Sequence, residues 1–241
     1  RRNRRFFRLF RQNYDDLRNL KPNLQSPEAL WKHYETTTAL LFKPWYITLV
    51  NDFLAFKFFG WLQDLVSTFN LSPNESLAND LLCGTGGVES EEAIIQVLKL
   101  KAQVLEDPYL KMLFEKPAGE ILHVLETGAF PAFFTALCAH LEKYGDRTLA
   151  ELKLETPAFR TNPLHFIDLL KNQLATGVGL SDFAARQKEI RSQAETIIER
   201  HLRWWNPKTW LFNFVRRMAA YGLKNRENMR FCRTRAYGAV K

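Results

Sequence analysis

The 241 residues carry 34 Lys+Arg against 26 Asp+Glu, a net charge of +8, and 46% of the side chains are hydrophobic. That apolar content excludes an intrinsically disordered chain, which cannot bury enough surface to offset its conformational entropy. The length predicts one sizeable domain or two small ones.

The charge is segregated. Residues 1–21 hold eight basic and two acidic side chains, residues 200–241 hold eleven and one, and the segment between them is acidic by eight charges. The opening Arg1-Arg2-Asn3-Arg4-Arg5 lacks both an initiator Met and a following apolar region, so it does not read as a signal peptide. This start, and an end at Val240-Lys241 in mid-pattern, read as cuts made in a longer chain.

The punctuation is that of an all-α protein. Ser26-Pro27, Ser72-Pro73, Asp107-Pro108, Asn162-Pro163 and Asn206-Pro207 each put a side-chain acceptor before a proline, which is how helices start. Ser72-Pro73-Asn74-Glu75 also forms a capping box. Together with the apolar spacing, these signals predict about eight to ten helices and no sheet. Their ranges are 5–20, 27–42, 45–69, 73–82, 90–106, 108–125, 130–144, 163–176, 182–204 and 207–235. The second is striped by Leu30, Trp31, Tyr34, Leu41 and Phe42. The stretch 39–69 is the most apolar, but Lys43, Asn51, Asp52, Lys57, Gln63 and Asp64 interrupt it too often for a membrane span of about 20 residues. It reads as buried helix, and no transmembrane segment is predicted.

Cys83, Cys138 and Cys232 are odd in number and far apart, which fits a reducing, cytoplasmic compartment and gives neither a disulfide framework nor a zinc pattern. The five histidines, His33, His123, His140, His165 and His201, have no metal-ligand spacing and read as core or surface residues. No metal site is predicted, and nothing assembles a nucleophile, base and oxyanion hole.

Three segments have the makings of a binding site. Gly84, Gly86 and Gly87 form a glycine-rich turn before Glu89 and a helix start, which reads either as a structural turn or as a ligand-touching loop. No strand or Lys-Ser/Thr pair accompanies it, and Glu89, Glu91 and Glu92 would repel a phosphate. Asp146 and Arg147 follow a helix end at Gly145, where Arg147 either forks onto an anion or staples the loop to Asp146, Glu151 or Glu155. The basic last helix interleaves Arg216, Arg217, Lys224, Arg226, Arg230, Arg233 and Arg235 with Trp210, Phe212, Phe214, Tyr221, Phe231 and Tyr237. The aromatic spacing predicts a buried stripe with the arginines outside it, which disfavours nucleic acid as a partner.

Taken in order, these segments resemble a family. Pro44-Trp45-Tyr46-Ile47-Thr48-Leu49-Val50-Asn51-Asp52-Phe53 and then Leu81 to Ser90 resemble the helical middle region of phosphoenolpyruvate-synthase-like enzymes, the group that includes rifampicin phosphotransferase. Tyr144-Gly145-Asp146-Arg147, Glu151-Leu152, Pro157-Ala158-Phe159-Arg160 and Arg226-Glu227-Asn228-Met229-Arg230 continue the match nearly to the end. Asp146 stands where the family has His, and Phe159 where it has Trp.

The resemblance implies one helical region, 1–241, cut from an enzyme with an ATP-grasp domain before it and a swivelling phosphohistidine domain after it. Those domains are the implied partners, together with a small-molecule acceptor such as pyruvate or a rifamycin-like molecule. ATP and Mg²⁺ are implied for the whole enzyme; no cofactor is expected on this segment, which alone would be inactive. Arg147, Glu151, Arg226, Glu227 and Asp146 are the implied substrate-binding or interdomain residues, and none is assigned a catalytic role. Two rival readings are a free-standing helical module that contacts RNA or an anionic membrane through its basic helices, and a remnant of a split gene.

Overall fold

The computed structural model describes residues 2–19, 26–72, 76–147, 156–177 and 179–240. In chain order the helices are α1 (Arg2–Asn19), α2 (Pro27–Thr37), α3 (Tyr46–Thr68), α4 (Leu77–Asp80), α5 (Glu89–Glu106), α6 (Pro108–Leu113), α7 (Ala118–Glu126), α8 (Pro131–Tyr144), α9 (Pro163–Leu174), α10 (Leu180–His201) and α11 (Pro207–Val240). No strand occurs among the described residues, so the fold is all-α as the spacing predicts.

Four of the five proline starts are capped in the structure. Ser26 accepts from the Ala29 N–H, Asp107 from Tyr109 and Leu110, Asn162 from Leu164, and Asn206 from Lys208. The fifth start, with its capping box over Ser72-Pro73-Asn74-Glu75, lies partly outside the described residues. The end of α3 is closed by Asn70 in the left-handed region (φ 50°), with the Leu71 N–H on the Val66 carbonyl and the Asn70 N–H on Ser67. This two-bond closure satisfies carbonyls that the helix leaves open, and the buried Leu71 and Val66 share one apolar cluster.

Two helix ranges need correction. The range 108–125 splits into α6 and α7 because Pro117 has no N–H to donate and disfavours helix at Lys116, while its carbonyl starts the next helix by accepting from Glu120 and Ile121. The range 27–42 remains α-helical only to Thr37, then widens to a π turn over Thr38–Phe42 and tightens to a 3₁₀ turn over Lys43–Trp45 around Pro44.

Among the described residues four apolar clusters hold the helices, the smallest being Ala93, Tyr144 and Phe231 where α5, α8 and α11 meet. One joins α5 to α9 around Val104, Ile121, Leu137, Phe166 and Ile167. A second lies among α3, α4, α10 and α11, with Leu62, Leu81, Ile198 and Phe212. The third packs Phe6, Phe10, Tyr14 and Leu17 of α1 against Leu41 and against Met229, Cys232 and Ala236 of α11. The two basic ends of the sequence are therefore neighbours in space.

Burial departs from the sequence pattern in three places. Leu30, Trp31 and Tyr34 of the predicted second stripe are exposed, and only Leu41 is fully buried. On α3 one stripe is covered, while Tyr46, Leu49, Val50, Phe53, Leu54, Phe56 and Trp61 remain exposed, so this helix is not the fully buried one expected. On α11 Phe212 and Phe231 are buried, but Trp210, Phe214 and Tyr221 are exposed. A helix apolar on all sides has no unique inner face, and which side is covered depends on the number of available neighbours.

Helices α3 and α11 run antiparallel at close range. Asp52 meets Arg226, Phe58 meets Phe214 and Lys208 sits over Phe69. At the crossing, a Cβ on Gly222 would lie 2.8 Å from the Ala55 Cα. That atom is backbone and cannot swing away. Gly222→Ala is therefore expected to lose about 1 kcal/mol net, overpacking of about 1–3 kcal/mol outweighing the helix propensity that Ala gains. A urea midpoint equal to or above that of the parent protein would contradict this crossing.

Among the described residues no single helix is long and apolar enough to cross a membrane; α7 and α8 reach that apolarity only as a pair bent by 112°.

Candidate functional site

A cavity of about 480 Å³ opens where α5, α8 and α9 meet. Ala93, Ile94, Val97 and Leu98 of α5 form one wall, and Phe159, Phe166 and Leu169 form the other. Four residues interrupt this apolar lining: His140, Tyr144, Arg147 and Gln173. The first three are spaced i, i+4, i+7, so α8 and its C-terminal turn present them along one stripe.

His140 is buried and stacks on Phe166, with ring centroids 4.6 Å apart, while Tyr144 lies 5.1 Å away. Its Nδ1 has no hydrogen-bond partner among the described residues. Burial, assisted by the Arg147 charge, pulls its pKa down to about 4, so the ring is neutral near pH 7. A neutral imidazole with an unused ring nitrogen can donate to or accept from a hydroxyl, according to its tautomer. The Tyr144 hydroxyl donates to Glu92 at 3.4 Å, and the Arg147 guanidinium lies 5.7 Å above the Phe231 ring.

The turn after α8 is held by backbone hydrogen bonds from residues 159 and 160. The Phe159 N–H donates to the Arg147 carbonyl and the Arg160 N–H to Gly145. This brings Phe159 to the cavity and Arg160 to the carboxylate next door. Asp146 points away from the cavity lining into a buried network, where it pairs with Arg160 at 3.0 Å and accepts from the Tyr14 hydroxyl of α1. Arg160 also donates to Tyr14 and to the Glu142 carbonyl, and Arg18 pairs with Glu142. Burial raises the Asp146 pKa against the opposing pull of Tyr14, Arg160 and Arg235. Tyr14 is pushed up to about 12, by burial first and then by the Asp146 charge.

The glycine-rich turn is braced by protein groups and borders a polar cavity of about 560 Å³ between α1, α5, α8 and α11. Gly84, Gly86 and Gly87 all have φ between 59° and 71°, which favours glycine. Asn228 of α11 accepts from the Glu89 N–H at 2.9 Å and donates to the Gly87 carbonyl at 3.1 Å. Glu89 binds Arg11 at 2.7 Å and Arg235 at 2.8 Å, tying α1, α5 and α11 together. The leading N–H of α5 is thus taken by Asn228, and Glu89, Glu91 and Glu92 stand in the first turn of the same helix.

Arg226 lies elsewhere, in a groove between α3 and α11, and Glu227, next to it in sequence, does not line that groove. Arg226 pairs with Asp52 at 3.8 Å and lies 4.7 Å above Phe56, while Glu227 pairs with Arg230 on its own helix. Glu151 lies outside the described residues. Of the residues singled out by sequence, the structure thus brings Arg147 to the cavity, Asp146 and Glu89 to ion networks, and Arg226 to a separate groove. His140, Tyr144 and Gln173 carried no sequence signal of their own; a polar i, i+4, i+7 series leading to Arg147 within an apolar helix was the available clue.

Comparison with curated proteins gave no match. The family described as the rifampicin phosphotransferase fourth domain matches residues 50–227, a span that takes in both walls of the cavity, the glycine turn and most of the α3/α11 pair. A match over this much of an all-α chain identifies the family, and this protein belongs to the rifampicin phosphotransferase fourth-domain family.

Proposed function

We propose that this chain is the acceptor-binding region of an ATP-dependent, phosphoenolpyruvate-synthase-like phosphotransferase. The acceptor is a largely apolar small molecule that carries a hydroxyl. The observation that carries the reading is the cavity of about 480 Å³, apolar on both walls, with His140, Tyr144, Arg147 and Gln173 as its polar lining. Its size and composition are those of small-molecule sites, where apolar walls supply affinity and a few polar groups supply orientation. In the whole enzyme ATP supplies the phosphoryl group, Mg²⁺ offsets its charge, and a histidine on a neighbouring domain carries it. The residues of this chain bind and orient the acceptor, and none is assigned a catalytic role.

The test is calorimetric titration of the chain with rifampicin and, separately, with pyruvate. Saturable binding of rifampicin is expected, weakened at least tenfold by Ile94→Trp, which fills the cavity mouth from a partly exposed position. Pyruvate is too polar for these walls and is expected not to bind. Binding of pyruvate alone, lost in Arg147→Gln, would overturn the apolar-acceptor reading. ATP hydrolysis by the chain alone would overturn the division of labour.

A further inference from the structure

A second concave site lies between α11 and the start of α3. Arg226, Arg230 and Arg233 are spaced i, i+4, i+7 and line one wall of a groove of about 380 Å³, with Trp45, Thr48 and Asp52 on the other wall. It shares no lining residue with the α5/α8/α9 cavity. We propose that this groove binds an oligophosphate group, free or as part of a nucleotide, through the three guanidinium groups.

Seven helical residues advance about 10 Å, so the arginines present forks along a line that a chain of two or three phosphoryl groups spans. Guanidinium matches phosphate oxygens in bidentate fashion, which ammonium does not. The groove is short of anions. Asp52, its one acidic lining residue, reaches only Arg226, at the long distance of 3.8 Å. Phe56 beneath Arg226 holds that guanidinium in place. Arg230 pairs with Glu227 at 3.2 Å, but both side chains are partly exposed, and such pairs contribute little and exchange readily for a multiply charged ligand. Among the described residues Arg233 has no carboxylate within ion-pair distance.

The fold adds a longer-range term. Helix α1, with Arg2, Arg4, Arg5 and Arg8, packs through Phe6 and Phe10 against Met229 and Cys232 of the same stretch of α11. The positive fields of the two basic ends therefore add at this end of the molecule, which raises the local concentration of anions. The limited volume, about 380 Å³ with Trp45 and the buried Met229 in its lining, favours a discrete ligand over an extended polymer.

The experiment is calorimetric titration of the chain with inorganic tripolyphosphate and with ATP at physiological salt. One-to-one binding is expected, weakened about tenfold by Arg233→Gln and about a hundredfold by Arg230→Gln with Arg233→Gln. The helical circular dichroism is expected to stay unchanged, because neither side chain is in the core. Tighter binding of ATP than of tripolyphosphate assigns a nucleotide, and equal binding assigns the phosphate chain alone; either supports the site. No saturable binding would overturn it. So would an equal loss in Arg4→Gln with Arg8→Gln, which would mark a diffuse basic surface. Rifampicin binding is expected to be unaffected by these variants, so failure here leaves the acceptor cavity standing and failure there leaves this groove standing.

Discussion

Asp146→Ala is expected to cost about 3–5 kcal/mol, the range for removing one partner of a buried ion pair. The carboxylate is 6% exposed and is the common acceptor for the Tyr14 hydroxyl and the Arg160 guanidinium. Its loss takes the nearer anion from the Arg160 guanidinium, which keeps only the Glu142 carboxylate at 4.0 Å, and leaves the Tyr14 hydroxyl without its acceptor. For a domain of this size, each kcal/mol shifts the melting temperature by about 2–4 °C, so a fall on the order of 10 °C is expected. Asp146→Asn keeps the shape and an acceptor for Tyr14, and is expected to lose less than Asp146→Ala. The double variant Asp146→Ala, Arg160→Met is expected to recover part of the loss, since removing both charges relieves the uncompensated one. A loss below about 1 kcal/mol for Asp146→Ala would show that the network does not hold α1 to the end of α8.

The network also shows where sequence reading runs out. Capped prolines and 3.6-residue spacing are local, so the existence of nearly every helix was legible. Asp146 and Arg160 are close in sequence, but Tyr14 is 132 residues from Asp146, and no local pattern announces that contact. The same holds for Asn228, which caps α5 from 139 residues away and turns the glycine segment into a structural joint. The split at Pro117 was legible in principle, yet the apolar residues Leu110, Leu113, Phe114, Ile121 and Leu125 continue across it on nearly helical spacing and all enter one core. On α3 the pattern itself is ambiguous: apolar residues surround the helix, and only the position of α11 decides which of them are covered. For the candidate site, Arg147 was legible as a loop charge held by a scaffold. His140 was not, because a histidine inside an apolar helix looks like a filled core position until its unpartnered nitrogen and the adjoining cavity are visible.

That histidine makes stability depend on pH in a definite direction. Its pKa is about 4 in the folded protein and near 6.5 when exposed, so between these values the unfolded chain binds the proton that the folded chain refuses. The stabilisation is therefore full above pH 6.5 and is lost as the pH falls towards 4. By pH 5 the loss amounts to about 2 kcal/mol. Asp146 acts with the opposite sign, since burial raises its pKa and acidification is then compensated by proton uptake in the folded state. The two are separated by comparing the protein with His140→Phe, which retains an aromatic ring against Phe166 and removes only the titrating group. The stability difference between the two proteins, measured by urea unfolding at pH 7 and pH 5, is expected to shift by about 2 kcal/mol in favour of the variant at the lower pH. The Asp146 contribution cancels in that difference, so a shift of less than about 0.5 kcal/mol would mean that the ring is protonated within the fold, and that the cavity wall at His140 is wetter than its packing against Phe166 and Tyr144 indicates.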